Sequence, residues 1–268
     1  MSTGSLKVTI LGCGSSTGVP RIGNDWGACD PNEPRNRRRR CSVLVEKGQG
    51  DQQTSVLVDT SPDLREQLLS ANVGRLDGVL YTHDHADQTH GIDDLRTIAL
   101  RMQKRVDVHF DQATADTLTK RFGYCFKAIA EKAYPPILNG HLIPEPFAPL
   151  TITGPGGVLT ALPFEQDHGI ARSLGFRFGP VAYSADVVNL PEESFVVLEG
   201  IECWIVDALR YAPHPTHAHV GRALDWIARV RPKRAVLTNL HVDLDYATLK
   251  RELPAGVEPA YDGMTIEV

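Results

Sequence analysis

A short apolar strand that leads directly into imidazole and carboxylate groups constrains this chain more than any other feature. Residues 78–82 (GVLYT) are typical of a buried strand, and residues 83–87 (HDHAD) follow without a break. Side chains at alternate positions in a turn can converge on one point, and a strand end is a rigid platform for them. Imidazole nitrogen and carboxylate oxygen are ligands that zinc or manganese accepts. The pattern therefore predicts a metal site, and the alternative is a polar loop with solvated histidines.

Composition limits the class of protein around this feature. The chain has 268 residues, of which 42% are hydrophobic and 23% charged, so it can bury a sizeable core. Its net charge of -5 at pH 7 argues against a general nucleic-acid coat, and we expect no extended nucleic-acid surface. No stretch approaches the ~18 uninterrupted apolar residues of a membrane span, so we expect no membrane partner.

The cysteines and the first residues favour a reducing compartment. Five cysteines are scattered at positions 13, 29, 41, 125 and 203, and this odd number forms no disulfide framework. Residues 1–14 lack a basic segment followed by an apolar core, so we expect no secretory signal. A cytoplasmic location is the expectation that follows.

Strand-like runs and helical patterns alternate along the chain. The predicted strands cover residues 6–11, 42–46, 55–59, 78–82, 106–110, 159–164, 174–178, 181–184, 203–207 and 234–238. The predicted helices cover residues 63–71, 93–101, 111–122 and 218–230. Because the strands form two sets on either side of a Pro-rich segment, 135–149, we expect two sheets packed face to face with helices outside. No linker or repeat is visible, so residues 1–268 are expected to form a single domain.

The glycine-rich loop at residues 12–18 (GCGSSTG) does not match a nucleotide-binding motif. It lacks GxGxxG spacing, and the following Val-Pro does not open a helix, which argues against a Rossmann fingerprint. It also lacks Gly-Lys-Ser/Thr, which excludes a P-loop. Cys13 and Cys41 are predicted to be small buried residues rather than nucleophiles.

Several segments resemble the metallo-β-lactamase superfamily. Residues 82–87 (THDHAD), followed by His90 and Gly91, resemble its HxHxDH signature. Residues 11–20, 91–96 (GIDDLR) and 262–264 (DGM) resemble its phosphoribosyl cyclic phosphate phosphodiesterase branch, which is linked to phosphonate breakdown. The resemblance extends from Lys7 to Val268. Later ligands of the superfamily are matched in the expected order: its third histidine by His168, its bridging aspartate by Asp186 and its last histidine by His241.

The resemblance implies both a fold and a metal centre. The fold would be a four-layer αββα sandwich, an α/β (α+β) arrangement of two mixed sheets with helices outside. The cofactor would be one or two divalent ions, zinc or manganese, with a metal-bound hydroxide as the nucleophile. The first ion would be held by His83, His85 and His168. The second ion would be held by Asp87 and His241, with Asp186 between the two.

The resemblance also implies two catalytic residues, Asp87 and His217. His217 matches a family histidine that acts on the leaving group, and the pKa of an imidazole suits a general acid near neutrality. The alternative is that Thr216 or a histidine caps the helix predicted at residues 218–230.

The arginines suggest a substrate contact. In the run at residues 37–40, Arg40 is the candidate for reaching a substrate phosphate with its planar guanidinium, whereas a solvated face is the alternative. Arg96 in the GIDDLR segment is predicted to pack or to form a salt bridge with the neighbouring aspartates.

Three positions depart from the family pattern. Gln88 stands where the signature has a histidine of the second metal site, and a glutamine oxygen is a weaker zinc ligand than imidazole. His90 is a less favoured substitute. Asn239 stands where the family often has its last histidine, so we assign that role to His241. Cys29 is the single cysteine where a relative has a cysteine-rich zinc clip, and about four ligands are needed for such a site.

The leading functional hypothesis is a metal-dependent phosphodiesterase that acts on a small cyclic phosphate or nucleotide-like ester. A second hypothesis is a hydrolase of a thioester, lactone or other carboxylic ester, since a metal also polarises a carbonyl. A third is a catalytically weak metal- or nucleotide-binding protein, which the glutamine at position 88 makes reasonable. The expected partner is a small phosphorylated substrate, and the sequence leaves a homodimer open.

Overall fold

Two seven-stranded sheets form the framework of the computed structural model, which describes residues 5–128, 135–145 and 147–268. The first sheet contains β1 (Leu6–Gly12), β2 (Ser42–Gln49), β3 (Gln52–Val58), β4 (Gly78–Leu80), β5 (Val106–Phe110), β6 (Leu138–Leu142) and β14 (Thr265–Glu267). The second sheet contains β7 (Leu150–Gly154), β8 (Gly157–His168), β9 (Ala171–Phe178), β10 (Val181–Ser184), β11 (Cys203–Asp207), β12 (Arg234–Thr238) and β13 (Val257–Pro259).

Eight α-helices are present in the described residues. They are α1 (Leu64–Ser70), α2 (Ala86–Thr89), α3 (Leu95–Met102), α4 (Gln112–Arg121), α5 (Gly123–Phe126), α6 (Glu192–Leu198), α7 (Val220–Val230) and α8 (Tyr246–Glu252). None of these helices has both the length and the apolar character that a membrane crossing requires.

Both sheets are mixed, and each has a parallel half. The first sheet has the order β14-β1-β2-β3-β4-β5-β6, and its strands are parallel from β3 to β6. The second has the order β13-β12-β11-β10-β9-β8-β7, and its strands are parallel from β10 to β13. The remaining neighbours in both sheets pair antiparallel.

The alternation of side chains along the strands builds four layers. In β11, Ile205 packs in the core that the two sheets share, whereas Trp204 and Val206 pack in a second core together with residues of α6, α7 and α8. In β3, Val56 and Val58 face the shared core, while Leu57 packs in a third core with residues of α1, α3 and α4. Because successive residues of a strand point to opposite faces, each sheet covers a core on both sides. The predicted αββα sandwich is therefore confirmed.

Most predicted elements are confirmed, with changed ends. Strands 106–110, 181–184, 203–207 and 234–238 have the predicted bounds, and the predicted helix 93–101 consists of a 3-10 turn followed by α3. The Pro-rich segment contains an unpredicted strand, β6, whose residues Asn139 and Gly140 have low strand propensity. The short helices α6 and α8 were also not predicted. Cys13 and Cys41 are buried and form no disulfide bond, as predicted. The predicted salt bridge of Arg96 is confirmed, with Asp93 at 2.6 Å.

Candidate metal centre

The polar residues of the site follow the carboxyl ends of strands. The strands β3 and β4 run parallel, as do β10, β11 and β12, while β8 runs in the direction of β10 because β9 is antiparallel to both. Their carboxyl ends therefore lie at one edge of each sheet, which is where open α/β sheets bind ligands. The residues at these ends are Asp59 (β3), His83 and His85 (β4), His168 (β8), Asp186 (β10), Asp207 (β11) and Asn239 (β12).

Three of these residues have a left-handed backbone conformation. The angle φ is 63° at Asp59, 55° at Asp186 and 63° at Asn239. Outside glycine, aspartate and asparagine adopt this conformation most readily, and it often occurs where a site requires a sharp turn. The sequence at these strand ends therefore permits the turns that bring the side chains toward the site.

A hydrogen-bond chain orients His83. Thr82 Oγ1 donates to Asp59 Oδ2 at 2.9 Å and lies 3.0 Å from His83 Nδ1, while the Thr82 amide donates to Asp59 Oδ1 at 2.8 Å. Because the hydroxyl proton is directed to the carboxylate, Nδ1 of His83 is the donor to that hydroxyl. Nε2 then carries the lone pair, and it is buried without a hydrogen-bond partner among the described residues.

His168 is oriented by a main-chain carbonyl. Its Nδ1 donates to the carbonyl oxygen of Thr216 at 2.7 Å, so its Nε2 also presents a lone pair. The next residue, Gly169, has φ +78°, and a Cβ there would lie 2.7 Å from Thr216 Cγ2. The glycine therefore permits the close approach that this hydrogen bond requires.

Three imidazoles converge at this edge. One nitrogen from each of His83, His85 and His168 lies within 4.8 Å of the others, and His168 Nε2 is 3.4 Å from His85 Nδ1. Tetrahedral zinc with nitrogen ligands at about 2.0–2.1 Å requires nitrogen atoms roughly 3.3 Å apart. Burial lowers the pKa of His83 well below its usual value and lowers that of His168 to about 4, so both are neutral at pH 7. The orphaned Nε2 of His83 and this donor set fit one divalent ion.

A second group of polar residues surrounds Asp186. Gln88 Nε2 donates to Asp186 Oδ2 at 2.9 Å and lies 3.3 Å from Asp87 Oδ2, so the carboxamide links the two carboxylates. Asn239 Nδ2 lies 3.4 Å from Asp186 Oδ1. Burial raises the pKa of Asp186 above its usual value. Asp87 itself lies on α2, since the turn predicted for residues 83–88 becomes helical at Ala86.

His217 lies against two buried carboxylates. Its Nδ1 is 2.9 Å from Asp207 Oδ2 and 3.8 Å from Asp186 Oδ1. Burial alone would lower the pKa of His217, but the negative charges, chiefly that of Asp207, raise the pKa to about 9. His168, Asp186 and His217 also form a group whose ligand atoms lie within 4.8 Å of one another. The residue at the N-terminal cap of α7 is His219, so His217 is placed by Asp207 and not by a helix cap.

The remaining candidates lie outside these groups. Nδ1 of His241 is 3.1 Å from Asp243, and the metal-capable groups among the described residues do not include His241. Arg40 forms an ion pair with Asp63 at 3.0 Å. The ring of His90 packs edge-on against Phe122, with 5.5 Å between the centroids. The metal ligation by His241 and the substrate contact of Arg40 thus stay predictions.

A cleft of about 430 Å³ opens beside His85, one of the three imidazoles. It is lined by Asp84, His85, Ala86, His90, Arg121 and Phe122. Nη1 of Arg121 donates to the main-chain oxygen of Asp84 at 3.1 Å, and the described residues place no carboxylate against this guanidinium. The cleft therefore places one metal-capable imidazole, that of His85, near the guanidinium of Arg121.

Comparison with known families agrees with this geometry. Residues 54–239 match the Beta-lactamase superfamily domain, and this range includes every residue of the two polar groups. The chain belongs to the metallo-β-lactamase superfamily. Its cluster of histidines and aspartates could hold a divalent metal.

Two solved structures show how widely this metallo-β-lactamase fold is shared. A diphosphatase of the PhnP family is 32% identical and superposes with a TM-score of 0.87, covering 98% of this chain and 97% of the other. Zinc-bound PqqB from Methylobacterium extorquens is 16% identical with a TM-score of 0.70, covering 98% and 100% of the two chains. The second likeness concerns the fold alone.

A curated relative carries a different name. An octanoyltransferase from Porphyromonas gingivalis is 31% identical over 264 residues, which make up 97% of this chain and 51% of that protein. This metallo-β-lactamase chain therefore spans about half the length of the relative.

Four residues that position the site were not predicted from the sequence. Asp59 and Thr82 orient His83, Asp207 holds His217, and Asn239 lies against Asp186. A signal existed for all four, because each stands at the end of a predicted strand or directly after it: Asp59, Thr82, Asp207 and Asn239. What the sequence lacked was the partner of each side chain.

Proposed function

We propose that this protein is a metal-dependent phosphodiesterase that acts on a small phosphorylated or nucleotide-like substrate. The observation that carries the proposal is the His217–Asp207 pair beside the three imidazoles, with Nδ1 of His217 2.9 Å from the carboxylate. A phosphate ester requires a proton on its leaving oxygen and positive charge on its phosphoryl oxygens. In this site, His217 can supply the proton, and an ion held by the three imidazoles can supply the positive charge.

His217 is the proposed general acid. Because Nδ1 is directed to Asp207, the ring can deliver a proton only through Nε2. The raised pKa, about 9, keeps the imidazole protonated at pH 7, so the proton is present before the bond breaks. This arrangement follows the rule that an orienting carboxylate fixes the ring of a catalytic histidine.

The ion site and Asp87 complete the proposal. His83, His85 and His168 would hold a divalent ion, which supplies Lewis acidity toward a phosphoryl oxygen and lowers the pKa of water. Three imidazole ligands favour zinc over harder ions, with manganese as the alternative. Oδ2 of Asp87 lies near the amide of Gln88, so Oδ1 is the oxygen that we propose accepts a proton from the attacking water.

The diphosphatase of the PhnP family supports phosphate chemistry, because it is 32% identical over nearly the full length of both chains. The cleft beside His85 supports it independently. Among the described residues, Arg121 bonds only to a main-chain oxygen, and its guanidinium suits the anionic remainder of a nucleotide-like substrate.

The test compares two leaving groups in the variant His217→Ala. An alkyl phosphodiester needs a protonated leaving oxygen, so its hydrolysis should fall by about 10²–10⁴-fold, whereas bis-p-nitrophenyl phosphate should be hydrolysed at nearly the original rate. His219→Ala is the matched control and should affect neither rate strongly, because this histidine, at the N-terminal cap position of α7, makes no side-chain capping hydrogen bond. Metal content is measured in each variant. Equal losses on both substrates together with loss of metal would place His217 in the coordination sphere and contradict its role as the acid.

A carboxylic ester or thioester substrate is the second candidate. The observation that favours it is the 31% identity to the protein named octanoyltransferase, although the match covers 51% of that protein. Assaying p-nitrophenyl acetate and an acyl thioester beside the phosphodiesters decides between the two. A kcat/KM that is higher for the acyl substrates, and abolished in His83→Ala, would overturn the phosphodiesterase proposal.

A further inference from the structure

We propose that the centre binds one divalent ion and that the carboxamides of Gln88 and Asn239 fill the position of a second. This inference concerns metal stoichiometry, and it does not depend on whether the substrate is a phosphate or an acyl ester. It rests on four polar contacts. The amide of Gln88, on α2, lies near Asp87 and Asp186, and the amide of Asn239, after β12, lies near Asp186 and His217.

The amide nitrogen of Gln88 lies between two carboxylates. It lies 2.9 Å from Asp186 Oδ2 and 3.3 Å from Asp87 Oδ2. An ion shared by these carboxylates would bind their oxygens at about 2.0–2.2 Å and would occupy the same space between them. An amide N–H is a hydrogen-bond donor and offers no lone pair to a metal. The carboxamide therefore takes the role of the cation for both carboxylates.

Gln88 cannot leave this position easily. The side chain has 0% exposure, and its Oε1 is buried without a hydrogen-bond partner among the described residues. Rotating the amide so that the oxygen faced an ion would move the two N–H donors to the side where Oε1 now has no partner. The two carboxylates would then lose their N–H donor, and only an ion could compensate the carboxylates and the amide oxygen.

A matching contact lies on the other side of Asp186. Nδ2 of Asn239 lies 3.4 Å from Asp186 Oδ1 and 3.2 Å from His217 Nδ1. Each oxygen of Asp186 thus faces an amide nitrogen. The two positions that the family pattern fills with imidazole, 88 and 239, here both carry a carboxamide. One such change would weaken a second site, whereas the pair places an amide nitrogen, in the position of an ion, near each oxygen of Asp186.

The experiment measures metal stoichiometry directly. The purified protein is stripped with a chelator, reloaded with Zn²⁺, desalted and analysed for metal per chain, and the same apoprotein is titrated calorimetrically. We expect one ion per chain in the natural protein. The double variant Gln88→His/Asn239→His restores two imidazoles beside Asp186, and we expect it to retain two ions. The affinity for the second equivalent should rise at least ~10-fold, the lower end of what changes around a metal usually produce.

The metal content of the natural protein tests the proposal even if the double variant fails to fold. Two tightly held zinc ions in the natural protein would overturn the proposal, and so would a double variant that is folded by circular dichroism but still binds only one. Gln88→Met, which keeps the length of the side chain and removes the amide, is the matched control and should retain one ion. No retained ion in the natural protein would contradict the three-imidazole site as well.

Discussion

Thr82 shows how one side chain can prepare a metal ligand without touching a metal. Its hydroxyl lies between the buried carboxylate of Asp59 and Nδ1 of His83, at 2.9 and 3.0 Å. This chain of contacts leaves the lone pair of His83 on Nε2, the nitrogen that is orphaned in the structure. Hydrogen-bond partners of this kind fix both the tautomer and the ring orientation of a metal-binding histidine.

Replacing Thr82 with valine should therefore weaken metal binding. The shape of the side chain is nearly kept, but Nδ1 of His83 loses its acceptor, and we expect the affinity for Zn²⁺ to fall by about 10–100-fold. The measurement is a competition titration of the apoprotein against a chromogenic chelator. Thr54→Val, which removes an equally buried hydroxyl that bonds to the Gly157 carbonyl, is the control and should leave the affinity unchanged. Equal affinities in both variants would show that the hydroxyl does not orient the ligand.

At the scale of elements, the beginning of α8 joins two segments that are distant in sequence. Asp245 caps this helix by accepting from the Thr248 amide at 2.9 Å. Its other oxygen accepts from Asn36 Nδ2 at 2.7 Å and from the Asp30 amide at 3.2 Å. Burial acts to raise the pKa of Asp245, but these hydrogen bonds outweigh it and lower the pKa to about 2. The cap thus ties the long loop before β2 to the second sheet.

Asp245 should stabilise the protein in a pH-dependent way. Its folded pKa lies below the unfolded value of about 3.9, so the stabilisation is complete above pH ~4 and is lost as the pH falls toward 2. Asp245→Ala should cost about 1 kcal/mol at pH 7 through the lost cap, or roughly 2–4 °C in Tm. Calorimetric melting of both proteins at pH 7 and at pH 3 should show the difference shrinking at the lower pH. The control is Asp225→Ala, which removes an exposed carboxylate of α7 and should change Tm little at either pH. If the Tm difference between Asp245→Ala and the natural protein were the same at pH 7 and pH 3, the stabilisation by Asp245 would not depend on pH as expected.

At the scale of the whole molecule, the candidate ion site joins the two sheets. His83 and His85 follow β4 of the first sheet, whereas His168 ends β8 of the second. An ion bound by all three would cross-link layers that otherwise meet through the shared apolar core. Because the ligands come from separate segments, the folded state binds the ion far better than the unfolded chain does.

Metal removal should accordingly lower the melting temperature. An ion present at about 100 times its Kd stabilises the folded state by ~2.7 kcal/mol, which corresponds to roughly 5–10 °C for a chain of this size. Differential scanning fluorimetry with and without a chelator measures this shift. The variant His83→Ala should melt at the same temperature under both conditions. A chelator-dependent shift that persists in His83→Ala would place the stabilising ion elsewhere.

The local pattern of the sequence was enough to indicate a candidate site at the end of β4. An apolar run followed by HDHAD predicted a strand and a site at its end, and the strands at 181–184, 203–207 and 234–238 have the predicted bounds because short apolar runs between turn residues specify buried strands well. His83, His85 and His168 were expected together, and the structure brings them within 4.8 Å.

Which residues complete the second group was decided by tertiary structure. After β12, the left-handed turn at Asn239 directs its amide toward Asp186, whereas His241, two residues later, lies beside Asp243. Counting residues cannot distinguish these positions, because the direction of a side chain after a strand depends on the φ of one residue and on the packing of the opposite sheet. For the same reason the sequence revealed the glutamine at position 88, but only the fold showed that its amide nitrogen lies between two carboxylates.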